Sequence, residues 1–169
     1  TGYRVLGEPH YRYMPFYPVL LAVSHKFLHI PYLLASRLIV LLISSLTPAL
    51  ILLWPGENDR NSPTNLLGAL LLCFSGFDLI QGSQAGTDAI LGFWVLLGFL
   101  LFRKNQNFLA GAVLGLSYLT RPEGQLALLV LLLINWKKPK TLFAVLLGFL
   151  LTSSTWLIYT WKVSGWPGN

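Results

Sequence analysis

The apolar stretch at residues 108–136 reads FLAGAVLGLSYLTRPEGQLALLVLLLINW, and its only charged residues are Arg121 and Glu123. Pro122 and Gly124 stand beside these charges and disfavour a continuous helix, so the stretch predicts two helices joined by a polar turn at 121–124. An arginine or a carboxylate at membrane depth costs about 2.5–3.5 kcal/mol on insertion scales, so such residues usually face protein or water. The turn is therefore the first candidate for a functional site.

Each limb of this hairpin, 108–120 and 125–136, has about a dozen residues. A rise of about 1.5 Å per residue gives helices of roughly 18–20 Å, shorter than the ~30 Å hydrocarbon core of a bilayer. The turn must then lie below the membrane surface, or the bilayer must thin there. Small residues that favour close helix packing recur in the first limb, at Gly111, Ala112, Gly115 and Ser117.

The composition of the whole chain indicates an integral membrane protein. Its 169 residues are 54% hydrophobic and only 11% charged, and the mean hydropathy is +0.62. Soluble domains of this size carry about twice that share of charge. The net charge of +6 comes mostly from residues that flank apolar runs, which argues against a nucleic-acid partner. The single cysteine, Cys73, excludes an internal disulfide or a cysteine-based metal cage.

We predict an all-α membrane fold, a polytopic transmembrane helix bundle of about five spans that occupies residues 1–169 as one domain. Residues 1–30 are an external loop followed by an interfacial helix at 16–30, because that apolar run is too short to cross a bilayer. Residues 31–161 form the transmembrane part, and 162–169 begin another external loop. The predicted crossings are 31–54, 66–80, 89–102, the broken hairpin at 108–136, and 141–161.

The distribution of basic residues predicts the orientation. Basic clusters at 103–104 and 137–140 are assigned to the cytoplasmic side by the positive-inside rule. The stretch between them must cross an even number of times, as a hairpin does. Counting outward from these clusters places most of the remaining charged and histidine candidates at one external face: Glu8, His10, Arg37, Asp78, Asp88, Arg121 and Glu123.

Three of these residues are the main candidates for binding a substrate. Arg121 offers a permanently charged fork of donors suited to a phosphate or pyrophosphate, and Glu123 is placed to orient it or to bind a hydroxyl. The alternative is a structural pair that satisfies the backbone of the broken helix. Asp88 can bind a metal, orient an arginine or act as a base, or it can simply cap the helix that follows it.

The remaining candidates leave alternatives open. Arg37 lies near the start of an apolar span, where it meets a lipid phosphate or pairs with Asp78 or Asp88. Glu8 and His10 are potential ligands of a divalent metal or acceptor-binding residues, and the alternative is a solvated loop. No metal is certain, and a divalent ion is the only cofactor that these residues suggest.

Five segments, taken in order, resemble the C-type (GT-C) polytopic membrane glycosyltransferases, the group that contains protein O-mannosyltransferases and aminoarabinose lipid transferases (glycosyltransferase family 39-like). They are YMPFYPVLLA at 13–22, ASRL at 35–38, QAGTD at 84–88, GAVLGLSYLTRPEG at 111–124 and KVSGWPGN at 162–169. Gly86 and Thr87 stand where the family motif has arginine and proline. The five segments follow the same order as in the family, and together they span nearly the whole chain.

The resemblance implies an enzyme that moves a sugar from a polyprenyl-phosphate donor to a lipid, protein or glycan acceptor on the external face of a bacterial or archaeal plasma membrane. It implies that Arg121, with Arg37, neutralises the donor phosphate, and that Asp88 and Glu123 position the arginines or sugar hydroxyls. The catalytic carboxylate of the family lies in the first external loop, which is expected upstream of Thr1. A multi-pass transporter or lipid flippase is the alternative, because broken helices at membrane depth are also typical of transporters.

Overall fold

A computed structural model describes residues 4–5, 8–9, 14–55, 63–74 and 86–164, with side chains for 14–55, 63–74 and 86–162. Two short strands, β1 (Arg4–Val5) and β2 (Glu8–Pro9), pair antiparallel within the predicted first loop. The rest of the regular structure in these ranges is helical, which confirms the predicted α class. The helices are α1 (Phe16–Leu28), α2 (Tyr32–Leu52), α3 (Pro63–Cys73), α4 (Asp88–Arg103), α5 (Asn107–Thr120), α6 (Gly124–Ile134) and α7 (Pro139–Ser164).

Two of these helices, α2 and α7, are long and apolar enough to cross a membrane, each with a hydropathy of 1.9. Helices α1, α3, α5 and α6 are also apolar but have only 11 to 14 residues. The predicted second span, 66–80, continues past Cys73 beyond the part of the chain that the structure describes. Helix length within the described residues therefore supports two crossings of the predicted five.

Large apolar side chains cover the outside of the long helices. Leu41 and Leu42 on α2 are 60% and 61% exposed, and Phe143 on α7 is 68% exposed. Exposed apolar surface on this scale is costly in water and is typical of a surface that another apolar phase covers. The exposed faces of α2 and α7 thus favour membrane association.

Helix α5 lies at the centre of the bundle and packs most extensively on α7. A Cβ atom on Gly111 would clash with the carbonyl of Val145, and one on Gly148 would clash with the carbonyl of Phe108. Gly148 also approaches the backbone N of Ala112, and Gly115 meets Phe149 and Thr152. The contacts of residues 111, 112 and 115 therefore advance from 145 to 148 and on to 149–152, so the two helices run parallel. The predicted role of the small residues in α5 is confirmed, because glycine brings the two backbones together.

The apolar core lies where α5, α6 and α7 meet. Its buried members include Leu114 and Tyr118 on α5, Leu131 on α6, and Phe149 on α7, with the Tyr118 and Phe149 ring centroids 5.8 Å apart. Two residues at the start of the chain's first helix also pack against this cluster. They are Phe16, the first residue of α1, and Met14, which lies just before it. The first helix is therefore attached to the bundle through its N-terminal end.

Helix α1 is also tied to α2. The hydroxyl of Tyr17 hydrogen-bonds the hydroxyl of Ser36, which is only 4% exposed. At the elbow between the helices, His29 adopts a left-handed backbone conformation with φ of 54°. The ring of His25 stacks on Tyr32 at 4.3 Å and its Nδ1 lies 2.8 Å from the carbonyl oxygen of Ile30. These contacts fold the chain back between the two helices.

Candidate functional site

The turn between α5 and α6 is short, as the sequence predicts, and hydrogen bonds and close packing hold it. Arg121 precedes a proline, which disfavours helical backbone, and it adopts an extended conformation with φ −153° and ψ 145°. Its N–H still bonds the Ser117 carbonyl at 3.0 Å, and its carbonyl accepts from the Gly124 N–H at 3.0 Å. The chain therefore leaves one helix and enters the next within three residues.

Gly124 allows the turn to lie directly against α5. A Cβ atom there would come within 2.6 Å of the Ser117 hydroxyl oxygen and would clash with the backbone of Ser117 and Tyr118. The Ser117 hydroxyl is fully buried and donates to the Leu114 carbonyl at 2.6 Å. The sequence predicts Ser117 only as a small packing residue. Its position seven residues before Gly124, across the turn, is the one sequence signal of their contact.

Arg121 uses its guanidinium to join two carboxylates. Nε and Nη2 donate to the two oxygens of Glu123 at 3.3 and 3.1 Å, in a fork that holds the guanidinium plane. Nη1 donates to Oδ1 of Asp88 in a second ion pair. The three side chains, which we call the charged triad, come from α4 and from the turn that follows α5.

Antiparallel packing of α4 against α5 brings Asp88 to this place. Gly98 on α4 faces Leu114 on α5, where an added Cβ would lie 2.8 Å from Leu114 Cδ2. Asp88 is the first residue of α4 and Arg121 follows the last residue of α5, so both lie at the same end of the bundle. The residue that caps α4 is Thr87, which makes no side-chain cap bond. Asp88 therefore forms an ion pair with Arg121, and the alternative prediction that it caps this helix is wrong.

The charged triad is accessible and carries a net negative charge. The side chains of Arg121, Asp88 and Glu123 are 33%, 43% and 51% exposed. Hydrogen bonding to Glu123, with the nearby Asp88 and Glu123 charges, raises the pKa of the Arg121 guanidinium. A hydrogen bond from its own backbone N–H, followed by the bond from Arg121, lowers the pKa of the Glu123 carboxyl. Both groups therefore remain charged at neutral pH.

This arrangement leaves donors for a further anion. A guanidinium has five N–H groups, of which the triad uses one each on Nε, Nη1 and Nη2. The remaining hydrogens on Nη1 and Nη2 have no partner among the residues with described side chains. Because two carboxylates fix the guanidinium, it is ordered before a ligand arrives, which lowers the entropic cost of binding.

Arg37 makes no hydrogen bond or ion pair with the triad. It occupies the exposed side of α2, with the exposed Leu33, Leu34 and Leu41 one helical turn before and after it. Within the described side chains it forms no hydrogen bond or ion pair, and Asp88 pairs with Arg121 instead. Its other proposed partner, Asp78, lies outside the described residues. Arg37 is thus an exposed cation on an apolar helix face.

The predicted metal or acceptor site in the first loop is described only in part. Glu8 belongs to β2, for which the backbone alone is described, and His10 lies outside the described residues. Among the residues with described side chains, no three histidine, cysteine or carboxylate groups come together as metal ligands. The divalent-metal alternative stays a prediction from the sequence.

No family model, curated protein or solved structure matches this chain.

Proposed function

We propose that this chain is part of a GT-C type membrane glycosyltransferase, which moves a sugar from a polyprenyl-phosphate donor to a lipid, protein or glycan acceptor. The observation that carries the proposal is the charged triad, in which Asp88 and Glu123 hold the Arg121 guanidinium at a break between two apolar helices. An ordered, permanently charged donor group at such a break suits the stabilisation of a phosphate leaving group.

The proposal includes a multi-pass placement in a plasma membrane, with the triad at the external face. Helices α2 and α7 supply full-length crossings, and α5 and α6 form the short hairpin that crosses and returns. The distribution of charge supports this placement. Arg103 is the last residue of α4 and Lys104 follows it, at the opposite end of the helix from Asp88. The positive-inside rule assigns that basic side to the cytoplasm.

In the proposed reaction, the bond between the sugar C1 and the donor phosphate oxygen breaks while an acceptor oxygen bonds to C1. Arg121 donates from its remaining N–H groups to the phosphate, whose negative charge grows as the sugar leaves. Asp88 and Glu123 keep the guanidinium in place. Arg37 is the second predicted contact to the phosphate. The acceptor proton passes to a carboxylate of the first external loop, as the family resemblance implies.

The test is sugar transfer by the full-length protein with a polyprenyl-phosphate donor in detergent or liposomes. Arg121→Ala is expected to lower turnover by about 10²–10³-fold, the usual cost of removing one donor that stabilises a developing anion. Arg121→Lys keeps the charge but loses the planar fork and is expected to recover only part of the activity. The control is Arg103→Ala, an exposed arginine at the opposite end of α4. Near-normal turnover of Arg121→Ala would refute the assigned role.

A transporter or lipid flippase is the second candidate, and the break between α5 and α6 is the observation that favours it. The two candidates differ in what they consume. A transporter moves its substrate across the membrane of vesicles that contain no donor lipid. The transferase requires the donor and releases polyprenyl phosphate. Transport without donor, together with absent transfer, would replace the first candidate by the second.

A further inference from the structure

Basic residues lie together at the end of the bundle opposite to the charged triad, because of the directions in which the helices run. Because α4 and α5 are antiparallel and α5 and α7 are parallel, the C-terminus of α4 and the N-terminus of α7 lie at the same end. All the basic residues at these two positions are exposed. We call them the basic rim: Arg103, Lys104, Lys137, Lys138 and Lys140.

We propose that the basic rim binds the headgroups of anionic phospholipids. Within the described side chains the carboxylates are Asp88 and Glu123, and both lie at the other end, in the triad. Among the described side chains this end of the protein therefore carries five cations and no carboxylate, a positive charge that anionic lipid neutralises.

An apolar surface lies directly beside the rim. Leu133, Ile134 and Trp136 are 65%, 72% and 70% exposed, and they immediately precede the lysines. Lys137 extends over the Trp136 ring, with its Nζ 5.5 Å from the ring centroid. Tryptophan and lysine side by side at the end of an apolar helix are typical of the membrane–water boundary.

This combination favours a lipid over other anions. A nucleic acid or an acidic peptide would use the charges but would leave Ile134 and Leu133 uncovered. A phospholipid brings a phosphate for the lysines and acyl chains for the neighbouring apolar side chains in one molecule. The inference needs insertion in a membrane but no sugar transfer, so it stands or fails separately from the proposed reaction.

The test measures which lipid lies next to the rim. The full-length protein with Cys73→Ser and Ile134→Cys carries a fluorophore at position 134 and is placed in phosphatidylcholine nanodiscs. Brominated phosphatidylglycerol or brominated phosphatidylcholine is added at equal mole fraction, and quenching of the fluorophore is compared. The matched control is Leu126→Cys, which is 57% exposed at the triad end of the same helix.

Stronger quenching by the anionic lipid is expected at position 134, and equal quenching by both lipids at 126. Each lysine near an anionic surface contributes about 1 kcal/mol, or about fivefold in binding. Replacing Lys137, Lys138 and Lys140 by glutamine should therefore remove most of the preference at 134. Equal quenching by both lipids at 134, no quenching there by either, or a preference that survives the lysine replacements would overturn the proposal.

Discussion

The guanidinium of Arg121 and the carboxylate of Asp88 form an ion pair although 33 positions separate them in the chain. The pair connects the N-terminus of α4 to the turn between α5 and α6, and Glu123 occupies the other edge of the same guanidinium. Partly exposed ion pairs contribute only about 0–1 kcal/mol to stability. A pair that is weakly stabilising yet closely ordered is more informative about substrate binding than about folding.

The first prediction separates these two roles by Asp88→Asn, which keeps the size of the side chain and removes its charge. We expect the free energy of unfolding, measured by thermal unfolding in detergent, to change by less than about 1 kcal/mol. We expect sugar transfer to fall by about 10- to 100-fold, because the guanidinium loses one of the groups that orient it. A loss of activity that only follows a loss of folded protein would show Asp88 to be structural.

The second prediction concerns the contact between α5 and α7. Gly111→Ala places a methyl group into the Val145 carbonyl, and we expect it to destabilise the protein by about 1–3 kcal/mol through overpacking. Gly92→Ala is the matched control, because an added Cβ on α4 meets nothing within 4 Å. Since alanine favours helix over glycine by roughly 0.5–1 kcal/mol, the control should be neutral or slightly more stable. Equal unfolding temperatures for the two variants would contradict the close packing.

The third prediction tests how the turn is held. Gly124→Ala pushes the turn away from α5 and should displace Glu123. The rate of sugar transfer should therefore fall by more than the loss of folded protein explains. Ser117→Ala added to this variant should not restore activity, because the nearest atoms to the new methyl group are backbone atoms. Recovery of transfer in the double variant would mean that the hydroxyl, rather than the backbone, limits the space.

The fourth prediction is a pH dependence of stability. The pKa of Glu123 is lowered in the folded state, so its contribution is present above the unfolded value of about 4.3 and is lost as the pH falls through the lowered pKa. Melting temperatures measured from pH 7 down to pH 3 should therefore fall less steeply in Glu123→Gln than in the natural sequence. Parallel curves would show that the hydrogen bonds to the Glu123 carboxylate, from its own backbone N–H and from Arg121, do not stabilise the folded protein.

The fifth prediction concerns the attachment of α1. Tyr17→Phe leaves the buried Ser36 hydroxyl without its partner on α1, at an expected cost of about 1 kcal/mol. Ser36→Ala removes the other hydroxyl, and a double-mutant cycle isolates the interaction between the two. A coupling energy near zero would mean that this hydrogen bond does not hold α1 and that its other contacts, such as the packing of Met14 and Phe16, do.

Several features of the fold could be predicted because single residues enforce them. Pro122 and Gly124 end one helix and begin another, and α5 and α6 meet within one residue of the predicted turn. The glycines of α5 predicted a close neighbour, which is α7. Asp88 directly precedes the predicted third span and indeed begins α4.

Other features could not be predicted, because the helices are apolar on all sides and show little contrast between faces. The sequence could not reveal that Arg37 lies on the exposed side of α2 while its neighbour Ser36 is buried. Nor could it show which carboxylate pairs with Arg121, since Asp88 and Asp78 were both predicted at that face. These pairings depend on helix rotation, which tertiary packing sets.

The glycine contacts between α5 and α7 also determine how the protein can move. Two helices that touch through main-chain atoms cannot slide along each other without driving carbonyl oxygens into the facing backbone. Helices α5 and α7 are therefore expected to move together as one rigid unit. A conformational change that admits a substrate to Arg121 is therefore expected to move other helices relative to α5 and α7, and cross-linking α5 to α7 should leave turnover unchanged.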